Sequence, residues 1–160
     1  MIAKCGWMIH MSNEDEIRRL IVELRILEGT AETLQSRINL LNAASAELNI
    51  AKRTLEGVEK ENPEAPVFVP IGGGSYIKAK LTDVDKVVYG VGAGVSIEKS
   101  LEEAKRGVDE RLSELERTKK SLEQQLSQVI MRIQENRDRL QELTAEYRRE
   151  ERAQDVRETT

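Results

Sequence analysis

The sequence predicts a mainly α fold with a small β head, in which two coiled-coil helices form an antiparallel hairpin and are joined by two β-hairpins. Apolar residues recur at alternating intervals of three and four along two stretches without proline. All three prolines and six of the ten glycines lie in the segment between these stretches. Alternating three- and four-residue spacing is the heptad pattern of paired helices, and proline with glycine marks turns.

The first helix is expected over residues 12–61 and the second over 98–153, before a short tail at 154–160. The heptad seam of the first helix comprises Ile17, Leu20, Leu24, Leu27, Ala31, Leu34, Ile38, Leu41, Ser45, Leu48, Lys52 and Leu55. The seam of the second comprises Leu101, Lys105, Val108, Leu112, Leu115, Lys119, Leu122, Leu126, Val129, Ile133, Asn136, Leu140, Leu143 and Tyr147. Because the seams are similar in length, we expect them to pair within the chain, with Leu20 near Leu140 and Leu34 near Leu126. The polar seam residues are interpreted as register-setting positions.

The segment 62–97 is predicted to form a double β-hairpin that serves as an oligomerisation head. At a shift of twenty residues Val67 falls on Val87, Gly72 on Gly92 and Ile77 on Ile97, which indicates a duplicated unit. Such small hairpins leave strand edges unpaired, so we expect strands of other subunits to pair with them and close a barrel between subunits. The apolar head residues expected at these contacts are Val67, Val69, Ile71, Tyr76, Ile77, Val87, Val88, Val91, Val95 and Ile97.

The composition argues against several other classes of protein. Lys and Arg number 25 against 29 Asp and Glu, so the chain has no excess of positive charge that would attract nucleic acid. No apolar run approaches the roughly 18 residues that span a membrane. A lone Cys5 and a lone His10 cannot form an internal disulfide or a protein-ligated metal site, a pattern typical of the cytoplasm.

The residues also argue against catalysis. Neither glycine-rich turn completes the phosphate-binding pattern G-x-G-x-x-G, and no Gly-Lys-Ser/Thr follows a glycine loop. The abundant carboxylates lie on predicted helix exteriors, where nothing would shift their pKa values for acid-base chemistry. We therefore expect a non-enzyme with no catalytic residue, metal or cofactor.

The opening segment 1–11 differs in character from the helix that follows it. Met11-Ser12 resembles a second start followed by a helix cap. The segment is therefore interpreted as a mistaken start, a disordered extension or an apolar docking arm that carries Trp7.

Two heptad helices flank Val67-Phe-Val-Pro-Ile-Gly-Gly-Gly-Ser75 and Val88-Tyr-Gly-Val-Gly-Ala-Gly-Val95, and this arrangement resembles the archaeal prefoldin α subunit. The resemblance covers roughly residues 14–147 and rests chiefly on the doubled hairpin. It implies a hexamer of two α subunits with four one-hairpin β-class subunits, assembled through joined β-barrels. It further implies ATP-independent capture of unfolded polypeptides and their delivery to a group II chaperonin.

Apolar residues that lie off the seam indicate where such clients would bind, because the helix pair cannot bury them. Ile21, Val22 and Ile26 lie off the first seam, and Ile130 and Met131 are expected near residues 28 and 29. The ends of the seams add Ile17, Leu20, Leu24, Leu140, Leu143 and Tyr147, for which packing within the helix pair is the alternative. Leu40, Ile50 and Val58 are also off the seam but lie nearer the head.

Two other function classes remain open from the sequence. A structural coiled-coil scaffold would bind folded partners at defined stoichiometry, whereas a holdase would bind diverse denatured proteins. A nucleotide-dependent enzyme subunit would bind nucleotide saturably.

Overall fold

The computed structural model describes the backbone of residues 3–158 and the side chains of residues 13–149 and 152. Its elements are α1 (Ala3–Val58), β1 (Pro66–Gly72), β2 (Ser75–Lys80), β3 (Lys86–Gly92), β4 (Val95–Ser100) and α2 (Leu101–Glu158). This order confirms the predicted mainly α fold with two β-hairpins between two long helices. Among the described residues, no helix is both long enough and apolar enough to cross a membrane.

Several boundaries differ from those expected. α1 begins at Ala3 and ends at Val58, and α2 continues to Glu158. The expected start of the second helix at residue 98 is wrong, because Glu98 and Lys99 pair with Val88 and Val87 in a strand that continues to Ser100. The side chains of residues 1–12, including Trp7, lie outside the described residues, and so does the end of the predicted tail.

The chain divides into two compact units. The helix-pair unit consists of Met1–Asn39 and Lys120–Thr160, and the hairpin unit consists of Leu40–Lys119.

The core of the helix-pair unit lies on the predicted seams. Its buried side chains are Leu20, Leu24, Leu34, Ile38, Ile133 and Leu143. The helices run antiparallel, since the Tyr147 hydroxyl donates to Glu14 Oε1 at 2.9 Å while Arg132 lies 3.2 Å from Glu23. These contacts bracket the expected neighbourhood of Leu20 and Leu140. Burial of seam leucines against the partner helix provides the main driving force for this pairing.

The helices of the hairpin unit combine an apolar core with ion pairs. Leu101, Ala104 and Val108 are buried. The ammonium of Lys52 lies 2.7 Å from Asp109 Oδ1, and the ammonium of Lys105 lies 2.9 Å from Glu59 Oε2. Hydrogen bonds with these carboxylates raise the pKa values of both lysines.

The two hairpins repeat each other in detail. They form separate two-stranded antiparallel sheets, β1 with β2 and β3 with β4. A register irregularity separates Pro70 from Gly72 in one and Gly90 from Gly92 in the other. The residues at the tip of each hairpin have positive φ angles, a conformation that two-residue hairpin turns require and glycine adopts without strain. The twenty-residue repeat predicted from the sequence therefore corresponds to two equivalent hairpins.

Candidate binding surfaces

The strand register assigns each hairpin residue to one of two faces, because directly opposed residues share a face and successive residues alternate. One face of the first hairpin is aliphatic and comprises Val67, Val69, Ile77 and Ala79. Its other face, here called the aromatic face, comprises Phe68, Pro70, Tyr76 and Lys78. In the second hairpin Val87, Tyr89, Ile97 and Lys99 share one face. The opposite face, here called the small face, comprises Val88, Gly90, Ser96 and Glu98.

Most of the predicted head residues are exposed in the single chain. Val67 and Val87 are half-buried. The exposed ones are Val69, Ile71, Tyr76, Ile77, Val88, Val91, Val95 and Ile97. Within the part of the chain that the structure describes, each sheet contains two strands, so each strand has one edge without a strand partner. A large apolar area together with unpaired strand edges is typical of a surface that binds protein.

Tyr89 fixes the second hairpin to α2. The guanidinium carbon of Arg111 lies 4.6 Å from the centre of the Tyr89 ring, and Lys99 Nζ lies 5.0 Å from it. Arg111 also donates from Nη2 to the carbonyl oxygen of Gly90 at 2.8 Å. Gly107 leaves room for the ring, because a Cβ there would lie 2.7 Å from the tyrosine hydroxyl. The first hairpin has Val69 at the position equivalent to Tyr89, so this aromatic anchor belongs to the second hairpin.

Phe68 and the Tyr89 anchor were not among the residues predicted from the sequence. Phe68 is the single phenylalanine of the chain and is exposed on the aromatic face. The alternation of residues along the strand could have identified it as a candidate binding residue. The anchor depends on a tertiary contact, and its one sequence signal is a glycine within a helix that is otherwise free of glycine.

The helix-pair unit carries an exposed apolar surface formed by off-seam residues. Ile21, Val22 and Ile26 are 45%, 59% and 63% exposed, and Ile130 and Met131 are exposed to a similar degree. Buried apolar side chains stabilise a helix pair, whereas side chains this exposed contribute little to it. This surface is therefore available to a partner.

The predicted seam-end residues are placed differently from the off-seam residues. Leu20, Leu24 and Leu143 are buried between the helices, so they pack within the helix pair. Ile17, Leu140 and Tyr147 are half-buried. Ile17 and Tyr147 line a shallow groove of about 260 Å³ together with Glu14, Arg18 and Thr144.

A second groove extends the exposed surface around Ile130. It has a volume of about 460 Å³ and is lined by Ala31, Glu32, Gln35, Ser36, Asn39, Leu126 and Ile130. The groove brings Leu126 close to Ala31 and Gln35, consistent with the expected proximity of Leu34 and Leu126.

Leu40 and Ile50 of the hairpin unit are also highly exposed. Across the described residues, no group of three or more His, Cys, Asp or Glu side chains is arranged to hold a metal ion.

Comparison with known proteins agrees with this architecture. Residues 27–146 match the family model described as Prefoldin subunit. The chain is 33% identical to prefoldin subunit alpha of Pyrococcus horikoshii over 132 residues, which cover 82% of this chain and 89% of that protein. It is also 33% identical to prefoldin subunit alpha of Methanopyrus kandleri over 113 residues, covering 71% and 72% of the two chains.

The fold is similar to a solved structure as well. A chain of filamentous PFD from Methanocaldococcus jannaschii, determined by cryo-EM, superposes with a TM-score of 0.58 at 26% identity. The match covers 76% of this chain and 94% of that one. With paired helices, a doubled hairpin and a family match over most of its length, the chain belongs to the prefoldin subunit family.

Proposed function

We propose that the chain is a subunit of an ATP-independent holdase that captures unfolded polypeptides in the cytoplasm and delivers them to a group II chaperonin. Family membership implies a chaperone-type function. The observation that carries the specific proposal is the exposed aliphatic surface of the helix-pair unit, where Ile21, Val22 and Ile26 lie outside a seam that is already filled. A surface of this kind offers non-directional apolar contact that many unfolded chains can use.

Assembly is proposed to occur through the hairpin unit. Prefoldin subunits form oligomeric complexes with one another, and here each hairpin has exposed aliphatic side chains and unpaired edges. Addition of strands from one-hairpin β-class subunits would pair these edges and bury the apolar faces, and closure into barrels would remove the remaining edges. Two copies of this chain with four β-class subunits is the proposed stoichiometry.

The helix pair suits capture because the residues that hold the helices together differ from those that would contact a client. Leu20, Leu24 and Leu143 hold the helices together, so Ile21, Val22 and Ile26 can contact a client without loss of the pairing. Ile21, Val22 and Ile26 alternate along the helix with charged residues such as the exposed Arg25.

A structural scaffold that binds folded partners is the alternative function. The exposed Leu40 and Ile50 of the hairpin unit would suit a fixed partner as well as a client. A scaffold binds native proteins at defined stoichiometry, whereas a holdase binds denatured proteins and ignores their native forms.

The test is light scattering of a chemically denatured protein diluted, without ATP, into a stoichiometric mixture of this chain and a one-hairpin subunit. Each chain alone serves as a control, and the same client in its native form tests for scaffolding. Suppressed scattering with the mixture supports the holdase. Unchanged aggregation despite an assembled complex, together with binding of native client, favours the scaffold.

A further inference from the structure

The exposed aliphatic surface of α1 is bordered by arginines. Residues three, four or seven positions apart lie on the same face of a helix. Arg18, Val22 and Arg25 have this spacing, and so do Arg19, Val22 and Ile26. All five side chains are exposed, and together they are here called the arginine face.

The carboxylates of the same stretch of α1 are already neutralised by arginines of α2. Glu23 Oε1 lies 3.2 Å from Arg132, and Glu28 Oε1 lies 2.7 Å from Arg137. Asp15, the nearest exposed carboxylate towards the N-terminus of α1, precedes the arginine face. The ion pairs that join the two helices therefore use the negative charges of α1 and leave its positive charges outside.

The arginines of this face keep most of their charge available. Arg19 and Arg25 form no ion pair within the described part of the chain. Arg18 lies 3.6 Å from Glu14, but its side chain is 76% exposed. An ion pair this exposed is weak and exchanges readily with other charges. The arginine face therefore carries an excess of positive charge around its aliphatic side chains.

The exposed apolar residues of α2 have different neighbours. Ile130 and Met131 are exposed to nearly the same degree as Val22 and Ile26. The residues three or four positions away include the exposed Gln128, Gln134 and Glu135, which are neutral or acidic. The two apolar surfaces of the helix-pair unit thus differ in charge, although both are aliphatic.

We propose that the arginine face selects unfolded client segments in which aspartate or glutamate alternates with aliphatic residues. The aliphatic side chains of the segment contact Val22 and Ile26, while its carboxylates pair with Arg18, Arg19 and Arg25. Charges at the border of an apolar contact contribute chiefly to selectivity and to the rate of association. This preference rests on the proposed function, since it concerns the clients of the same surface.

Matched peptides test this selectivity. They share the same aliphatic residues and carry glutamate, glutamine or lysine between them. Fluorescence anisotropy measures their affinities for the complex of this chain with a one-hairpin subunit. At low salt we expect the glutamate peptide to bind about tenfold more tightly than the lysine peptide, the combined effect of a few exposed charge pairs. At about 1 M salt this ratio should fall below about twofold, since the Debye length shortens to about 3 Å.

A further peptide separates apolar contact from charge alone. It carries glutamate with serine in place of every aliphatic residue. We expect it to bind about tenfold or more weakly than the aliphatic glutamate peptide, because burial of apolar area supplies most of the affinity. Equal binding of the two glutamate peptides would show a simple anion site and would overturn the proposal.

Glutamine substitutions remove the charge of the arginine face. Glutamine favours helices about as well as arginine does, so the combined variant of Arg18, Arg19 and Arg25 should remain folded, which thermal melting by circular dichroism checks. Its preference for the glutamate peptide should fall within about twofold, while its affinity for the glutamine peptide stays unchanged. The matched control carries the same substitution at three exposed arginines of the hairpin unit, Arg53, Arg106 and Arg117. It loses the same net charge and should keep the preference.

Two further variants separate charge from apolar contact within the same face. Arg19→Glu with Arg25→Glu should reverse the preference, so that the lysine peptide binds more tightly than the glutamate peptide. Val22→Ser with Ile26→Ser should weaken all three aliphatic peptides alike and leave the ratio of their affinities unchanged.

The outcomes separate this preference from the holdase. Suppressed aggregation without a preference for the glutamate peptide, or with a preference that survives the glutamine substitutions, overturns the selectivity alone. Binding of none of the peptides overturns it as well. If the mixture fails to suppress aggregation but binds the glutamate peptide through these arginines, the holdase fails and the arginine face stands. Displacement of the glutamate peptide by a natively folded acidic protein would assign the face to folded partners instead.

Discussion

Gly107 shows how a single missing side chain positions a hairpin. Alanine generally stabilises a helix interior relative to glycine by about 1 kcal/mol. At Gly107, however, the new Cβ would lie 2.7 Å from the Tyr89 hydroxyl and 3.0 Å from Cζ, so the ring must move away from Arg111. We expect Gly107→Ala to be less stabilising than Gly29→Ala by about 0.5–1 kcal/mol, the size of a cation–π contact.

Gly29 is the matched control because a Cβ there meets nothing within 4 Å. Chemical denaturation followed by circular dichroism compares the two variants, and the NMR ring signals of Tyr89 report its movement. Equal stabilisation by both substitutions, with unchanged Tyr89 signals, would show that the anchor does not depend on this glycine.

Asn136 is a residue at which the seam loses stability. Its amide nitrogen is buried and has no hydrogen-bond partner among the described residues. An unsatisfied buried donor costs about 1–3 kcal/mol, so Asn136→Leu should raise the free energy of unfolding by roughly 1–2 kcal/mol. Asn39→Leu is the control, since Asn39 is exposed and already accepts a hydrogen bond from Gln35 at 3.1 Å. A stability gain of equal size in the control would assign the effect to leucine itself.

At the scale of elements, α2 begins with a capping box. The Ser100 hydroxyl accepts from the backbone N–H of Glu103 at 3.2 Å, and Glu103 Oε2 accepts from the backbone N–H of Ser100 at 3.2 Å and from its hydroxyl at 2.9 Å. The hydrogen bonds from Ser100, first from its side chain and then from its backbone, lower the pKa of Glu103. The ionised carboxylate is therefore stabilised by the folded state.

Ser100→Ala should reduce stability by about 1 kcal/mol, the usual effect of removing a helix cap. Because the pKa of Glu103 is lowered on folding, its contribution is present above the ordinary glutamate pKa and is lost as the pH falls through the lowered value. Melting temperatures between neutral and acidic pH should therefore fall less steeply in Ser100→Ala. Ser113→Ala, at an exposed position of the same helix, should keep the original pH dependence; an unchanged profile in both variants would contradict the capping argument.

The same elements show what the sequence could and could not predict. The seams and the duplicated hairpins were predictable because heptad spacing and paired glycine turns are local patterns. The boundary at Ser100 was missed since Glu98 and Lys99 suit an exposed strand as well as a helix, although the Ser100–Glu103 spacing signals the cap. The packing of Tyr89 on α2 was not predictable, because it depends on where the folded chain brings β3.

At the scale of the whole molecule, the chain separates residues that hold the fold from residues available to partners. Heptad spacing identified Ile21, Val22 and Ile26 as residues that the pair cannot bury, and the structure leaves them exposed. The sequence could not tell which of them a client contacts, since non-directional apolar binding leaves no motif. These three residues can therefore be substituted to test client binding while the buried seam stays intact.

Replacement of Ile21, Val22 and Ile26 together by serine should leave the mass of the assembled complex unchanged, because the buried Leu20 and Leu24 still hold the helices. Removal of three exposed apolar side chains should weaken capture of a denatured client about tenfold or more, because the apolar area that these side chains bury against the client is lost. Titration of the complex against client aggregation measures this change. Leu40 and Ile50, which are somewhat more exposed and lie in the hairpin unit, provide the serine control. If the control variant loses capture while the triple variant retains it, clients bind the hairpin unit, and the helix-pair surface has another role.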